Sequence, residues 1–129
     1  MPRIRPTETE FDAIGTRVFS EKSTSQTVGG GSTNLVSVSL TAGIWVLVGS
    51  AVYQALNTNP RGICITATSN GMDMDACQIT PAGTSTQGRP RLNVSKIVKI
   101  TQTTTYYLTN WSGVAQTLDY SRLDAVRII

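Results

Sequence analysis

The sequence contains no histidine. That absence removes Ser-His-Asp and Cys-His nucleophile arrangements and every metal site that needs imidazole, because a serine or thiol without a nearby base is a poor nucleophile. Cysteine is scarce: Cys64 and Cys77 are the only two, too few for a disulfide-stapled mini-domain or a cysteine-based zinc site. Two reduced, buried thiols are the simpler reading and the favoured one. A single bridge between neighbouring strands is the other, so the redox compartment stays open. Charge is also sparse, at 15% of residues with a net +3. Apart from Arg3 with Arg5 and Arg89 with Arg91, the cations are scattered. A nucleic-acid binder gathers them on one face to neutralise several phosphates, so no nucleic-acid partner is expected. No apolar run approaches the ~20 residues that cross a bilayer. The start, Met1 to Pro6, lacks the apolar stretch of a signal peptide. Membrane insertion is not expected.

What is present points to strands. The 129 residues, 40% of them hydrophobic, fit one domain that buries about two-thirds of its unfolded surface. Ser, Thr, Asn, Gln and Gly stand where Lys and Glu usually do, and Thr and Val favour a pleated, half-buried environment. Residues 1–10, with two prolines, several charges and little that is apolar, read as an arm or linker. Residues 11–129 read as a single β-sandwich domain.

Within it, residues 11–19 give a weak strand, and Gly29-Gly30-Gly31-Ser32 a flexible break. Over 34–40, Val36, Val38 and Leu40 alternate with Ser37 and Ser39, an apolar face against a hydroxyl face. Thr41-Ala42-Gly43 is a turn. Residues 44–53 are apolar on both faces, so this strand is either central in a sandwich or covered by another subunit. A turn at 57–62 leads to a strand at 63–68, with Cys64, Thr66 and Thr68 on one face. A loop at 69–75, a short strand at 76–80 and a long polar loop at 81–90 follow. Strands at 91–101 and 104–111, a turn at 110–113 and a closing strand at 123–129 complete the chain. Lys96 interrupts the alternation of the first of these. No helix with an apolar stripe is predicted. Seven or eight short strands predict an all-β, antiparallel two-sheet sandwich or a barrel.

The remaining candidates for chemistry are few. Asp73 and Asp75 would share one side if extended and could hold a hard cation or cleave a glycoside. A solvated loop whose aspartates accept local hydrogen bonds is the plainer account. Gly29 to Gly31 lacks the lysine and helix of a phosphate loop. Tyr53, Tyr106, Tyr107, Trp111 and Tyr120 could stack on sugar rings, or fill the core and cover a turn. The expectation is no catalytic residue, no cofactor and no metal. Tyr53, Trp111, Asp73, Asp75, Arg89 and Arg91 are the candidate ligand-binding residues.

Three segments carry a family resemblance. Val38-Ser39-Leu40-Thr41-Ala42-Gly43-Ile44-Trp45-Val46-Leu47-Val48-Gly49-Ser50 resembles the segment of C1q/TNF-like jelly rolls in which a leucine, a turn, a glycine and an aromatic lead into an alternating strand. Such segments are common in bacteriophage and prophage tail-fibre and structural proteins. Residues 95–100 with 105–113 resemble their penultimate strand pair, and residues 121–128 their closing strand. The likeness covers residues 34–129 and lacks the calcium-site pattern and collagen-like stalk of the animal members.

The resemblance implies a homotrimer at a virion tail tip or fibre, beside other tail proteins, adhering to a host-surface glycan or protein. It also implies synthesis in the host bacterial cytoplasm and action outside it. The doubly apolar strand at 44–53 and the apolar C-terminus support an oligomer independently. A carbohydrate-binding module of an extracellular enzyme is the alternative, and a glycosidase built on Asp73 and Asp75 the third reading.

Overall fold

The computed structural model describes residues 14–54, 59–80 and 91–129. The expected arm at 1–10, the start of the first expected strand and the loop at 81–90 with Arg89 lie outside them. Among the described residues, nine strands occur in the order β1 (Arg17–Lys22), β2 (Gln26–Val28), β3 (Gly31–Leu40), β4 (Gly43–Tyr53), β5 (Arg61–Thr66), β6 (Cys77–Thr80), β7 (Arg91–Ile100), β8 (Thr104–Ser112) and β9 (Gln116–Arg127). One 3-10 turn, Met74–Ala76, precedes β6. Among the described residues no helix is long and apolar enough to cross a membrane.

The strands form two sheets packed as a sandwich, and every pairing is antiparallel. The first sheet has the order β1-β9-β4-β7, with β2 also beside β9; the second has the order β3-β8-β5-β6. Period-two alternation explains the burial. Val36, Val38 and Leu40 of β3 point inward with Tyr106 and Leu108 of β8 and Ile63 and Ile65 of β5. They meet Trp45, Leu47, Ala51 and Tyr53 of β4, Leu92, Val94 and Val98 of β7, and Leu118, Leu123 and Ala125 of β9. Trp45 satisfies its indole by donating to the Thr41 carbonyl at 2.9 Å.

Of the two readings of the doubly apolar strand, the fold makes it central. β4 lies between β9 and β7, and its inner face is fully buried. Its outer face is partly exposed, with Val48 at 47%. Gly49, in the middle of β4, lets the sheets close. A Cβ there would lie 2.6 Å from Leu108 Cδ1 and 3.2 Å from Val94 Cγ1.

Several expectations need correction. Gly29 to Ser32 is not a flexible break: β3 begins at Gly31, whose φ of +91° favours glycine, and Gly30 lies against the Gly113 backbone. Trp111 does not cover a turn but sits inside β8, and the chain turns at 113–115 instead. β9 starts seven residues before the expected 123, at Gln116, because Leu118 and Ser121 continue the inward phase beside Tyr53 and Ala51. The favoured pair of reduced thiols is overturned: Cys64 and Cys77 are disulfide-bonded. They are directly opposite partners on β5 and β6. The close approach at Gly49 gives a direct test. Gly49→Val should cost about 1–3 kcal/mol through overpacking, read as a lower midpoint in urea unfolding with an unchanged slope.

Candidate binding surfaces

The five candidate residues among those described, Tyr53, Trp111, Asp73, Asp75 and Arg91, do not converge on one site. Tyr53 is in the core, with no exposed surface, so its ring offers no surface platform. Its hydroxyl donates to Asn110 Oδ1, and Asn110 Nδ2 donates to Ser112 Oγ at 3.2 Å. The Arg61 guanidinium lies 5.2 Å from the Tyr53 ring centroid, and Arg61 is 1% exposed. Burial pushes the Tyr53 phenol up and the Arg61 guanidinium down, each opposed by the other's charge. Arg61 had no place among the candidates. Its signal was its phase, two residues before Ile63 and four before Ile65, both inward.

The outer face of the second sheet is built from the opposite phase. Ser32, Asn34, Ser37 and Ser39 of β3 lie beside Trp111, Thr109, Tyr107 and Thr105 of β8. Gly62, Cys64 and Thr66 of β5 flank β8 on its other side. The segment joining β5 to β6 folds back over this face and is held at both ends. At its tip, the Asn34 N–H donates to Asn70 Oδ1 at 2.9 Å and the Asn70 N–H donates to Asn34 Oδ1 at 2.7 Å. Asn34 Nδ2 donates to Ser69 Oγ at 2.8 Å, and the Thr109 hydroxyl donates to the Gly71 carbonyl at 2.8 Å. Asn70 takes φ of +56°, a left-handed conformation that asparagine tolerates better than most residues. At its root sits the Cys64–Cys77 bond.

The candidate aspartates belong to this loop. The Asp73 carbonyl accepts the Ala76 N–H at 3.1 Å. Asp75 lies 3.3 Å from Lys96 Nζ and stays 70% exposed. That is the arrangement of a solvated turn with a surface ion pair. Among the described residues no group of three His, Cys, Asp or Glu could hold a metal ion. Trp111 is half-buried on the same face, across from Gly62 and Ser32. Met74 on the loop is 69% exposed. Arg91 is on the opposite sheet, on the outer side of β7 beside Val52.

The outer face of the first sheet divides into two halves. Val126, Val46 and Ile97 line up across β9, β4 and β7, with Val48 one row away. Ile97 is 68% exposed and Val126 is 36% exposed. The other half is an ordered charge network. Arg122 forks onto Asp124 and also bonds Glu21 Oε2 at 2.8 Å. Arg17 Nη2 reaches Asp124 at 2.9 Å, and the Tyr120 hydroxyl donates to Glu21 Oε2 at 2.9 Å. Phe19 lies under both guanidinium groups, 4.3 Å from Arg122 and 5.3 Å from Arg17.

The hydrogen bonds from Arg122 hold the Asp124 carboxyl below the ordinary aspartate range, against partial burial and with help from Arg17. A depressed carboxylate adds stability that is complete above its unfolded value of about 3.9 and is lost as pH falls through the folded value. Asp124→Asn should therefore cost about 1 kcal/mol at neutral pH. The gap between wild-type and variant melting temperatures should close as pH falls below about 4, measured by calorimetry across pH.

A comparison with family models and with curated proteins returns no match to this chain.

Proposed function

We propose that this chain is a phage or prophage virion structural protein, a homotrimeric tail-tip or fibre domain of jelly-roll type that binds a host-surface glycan or protein. The observation that carries the assembly half of this reading is the apolar outer face of β4, β7 and β9, where Ile97, Val48 and Val126 stay exposed among the described residues. A face with Ile97, Val48 and Val126 exposed side by side is larger in apolar content than scattered surface residues require. Covering it with neighbouring copies closes the assembly by rotation.

The jelly-roll assignment is supported by nested pairing. β1 pairs with β9, β3 with β8, β4 with β7 and β5 with β6. That is the pattern of one long antiparallel hairpin rolled into a sandwich. The receptor half rests on the second sheet, where a loop latched at both ends sits beside Trp111 on a hydroxyl-rich face. A loop fixed before binding loses less entropy when it meets a ligand, and binding residues concentrate on loops carried by a rigid scaffold. The half-buried Trp111 also favours the second reading, a monomeric carbohydrate-binding module.

Light scattering and native mass spectrometry separate the two. The expected result is a trimer at micromolar concentration that Ile97→Asp or Val48→Asp converts to a folded monomer. A wild-type monomer at every concentration would overturn the assembly half. Retention on a glycan array or on host cells, weakened about tenfold or more by Trp111→Ala, is expected for the binding half. Retention by a monomer would favour the module, and no retention on any glycan or cell would sink both.

A further inference from the structure

The placement of the Cys64–Cys77 bond separates it from the core. Cys64 alternates with Ile63 and Ile65, whose side chains fill the space between the sheets, so the cysteines occupy the opposite, outer face. Their Cα atoms are 4.1 Å apart, the close spacing of an antiparallel pair that exchanges no backbone hydrogen bonds. What the bond ties down is slight. β6 has four residues, pairs with β5 alone and lies at the edge of its sheet. It touches the other sheet at β7, where the Asn93 N–H donates to Gln78 Oε1 at 2.6 Å. The loop ahead of it is held by exposed or half-exposed hydrogen bonds and by the Asp75–Lys96 pair. Among the described side chains of residues 67–79, Ala76 is the one that joins the core cluster.

We propose that Cys64–Cys77 is a redox-operated latch on the 67–80 segment: reduced, the segment opens as a local unit while the sandwich stays folded; oxidised, it is fixed. Regions with few buried apolar contacts and one strand partner open at low free energy, and a covalent tie at their root suppresses that opening. Access is asymmetric. Cys64 has no exposed surface, whereas Cys77 on the edge strand is half-buried. A dithiol in its thiolate form attacks Cys77 Sγ, the sulfur–sulfur bond breaks and Cys64 leaves as a thiolate that takes a proton. The second thiol of the reagent then displaces Cys77, so the reagent ends as a disulfide and the protein as two thiols. A glutathione-type disulfide reverses both steps. The latch stands whether or not the loop meets a receptor. If it does, the recognition loop sets only after the chain leaves a reducing compartment.

Hydrogen exchange resolved by mass spectrometry tests this on the full chain in three forms: oxidised, dithiothreitol-reduced, and Cys64→Ser/Cys77→Ser. The expected result is loss of protection by about tenfold or more over 67–80 in the second and third forms. Amides of β3, β4, β8 and β9 should stay unchanged, and glutathione disulfide should restore protection in the reduced wild type. Equal protection over 67–80 in all three forms would overturn the latch. So would loss spreading through β4 and β9, which would make the bond a staple of the whole fold, or failure of thiol alkylation to reach Cys77 after native reduction. Receptor binding that fails in every form leaves this readout intact.

Discussion

Leu108 of β8 reaches across the sandwich to the bare backbone of Gly49 in β4, where a single added carbon would lie 2.6 Å from its Cδ1. That contact sets how near the two sheets come. It needs a glycine at the centre of an otherwise apolar strand, with Val94 closing the same space from β7. With the sheets this close, Trp45, Leu47, Ala51 and Tyr53 are sealed on one side of β4. The close approach at Gly49 packs the two layers directly against each other at the centre of β4.

The two outer faces are then different surfaces made by one rule. On the second sheet, the residues out of phase with the core are mostly Ser, Thr and Asn beside Tyr107 and Trp111, and hydrogen bonds of Asn34 and Thr109 hold the loop. Asn34 alone makes three of those bonds. On the first sheet, the out-of-phase residues include a valine and isoleucine row beside a cluster of paired charges, with Arg91 and Lys99 toward the ends of β7. A hydroxyl face that orders a loop fits recognition; an apolar face with neutralised charges fits contact between copies of the chain.

The alternation was legible where one face is apolar and the other hydroxyl-bearing: in β3, Val36, Val38 and Leu40 fall inward as read, whereas β5 runs from Arg61 to Thr66, two residues earlier than the expected 63–68, and Thr68 lies exposed beyond it. β4 was legible as a strand but not as to what covers its outer side, because a sequence of apolar residues does not say which face meets another chain. β2 and the first half of β9 were not legible. Residues 116–121 interleave Gln, Thr, Asp and Ser with Leu118 and Tyr120, and the register slips between Val52 and Tyr53 of its partner. The cysteine pair hid for a related reason: both lie in strands that were recognised, but their opposition depends on how the intervening loop sets the register of β6. Tyr53 read as a possible sugar platform because its burial depends on Arg61 and Asn110, partners that only the folded chain brings together.

The edges explain why association, on the proposed trimer, would run through a face. β7 is a ten-residue edge strand, long enough to recruit further strands in an open-ended way. Lys96 stands on its inward side, opposite Leu47, and reaches Asp75. A charge placed there resists an incoming strand, since pairing along this edge would bury it. The opposite edge of that side of the sandwich is β6, four residues long and tied by its disulfide. The broad outer face of the first sheet has no such guard. On its β1–β9 side two cations, Arg17 and Arg122, and two anions, Glu21 and Asp124, already satisfy one another, while Arg91 and Lys99 stand on the outward phase at the two ends of β7. Covering the paired charges removes less solvation than covering free charges would. The cost of burying that charge cluster is therefore low, and the gain from Ile97, Val48, Val46 and Val126 comes from the apolar rows between Arg91 and Lys99.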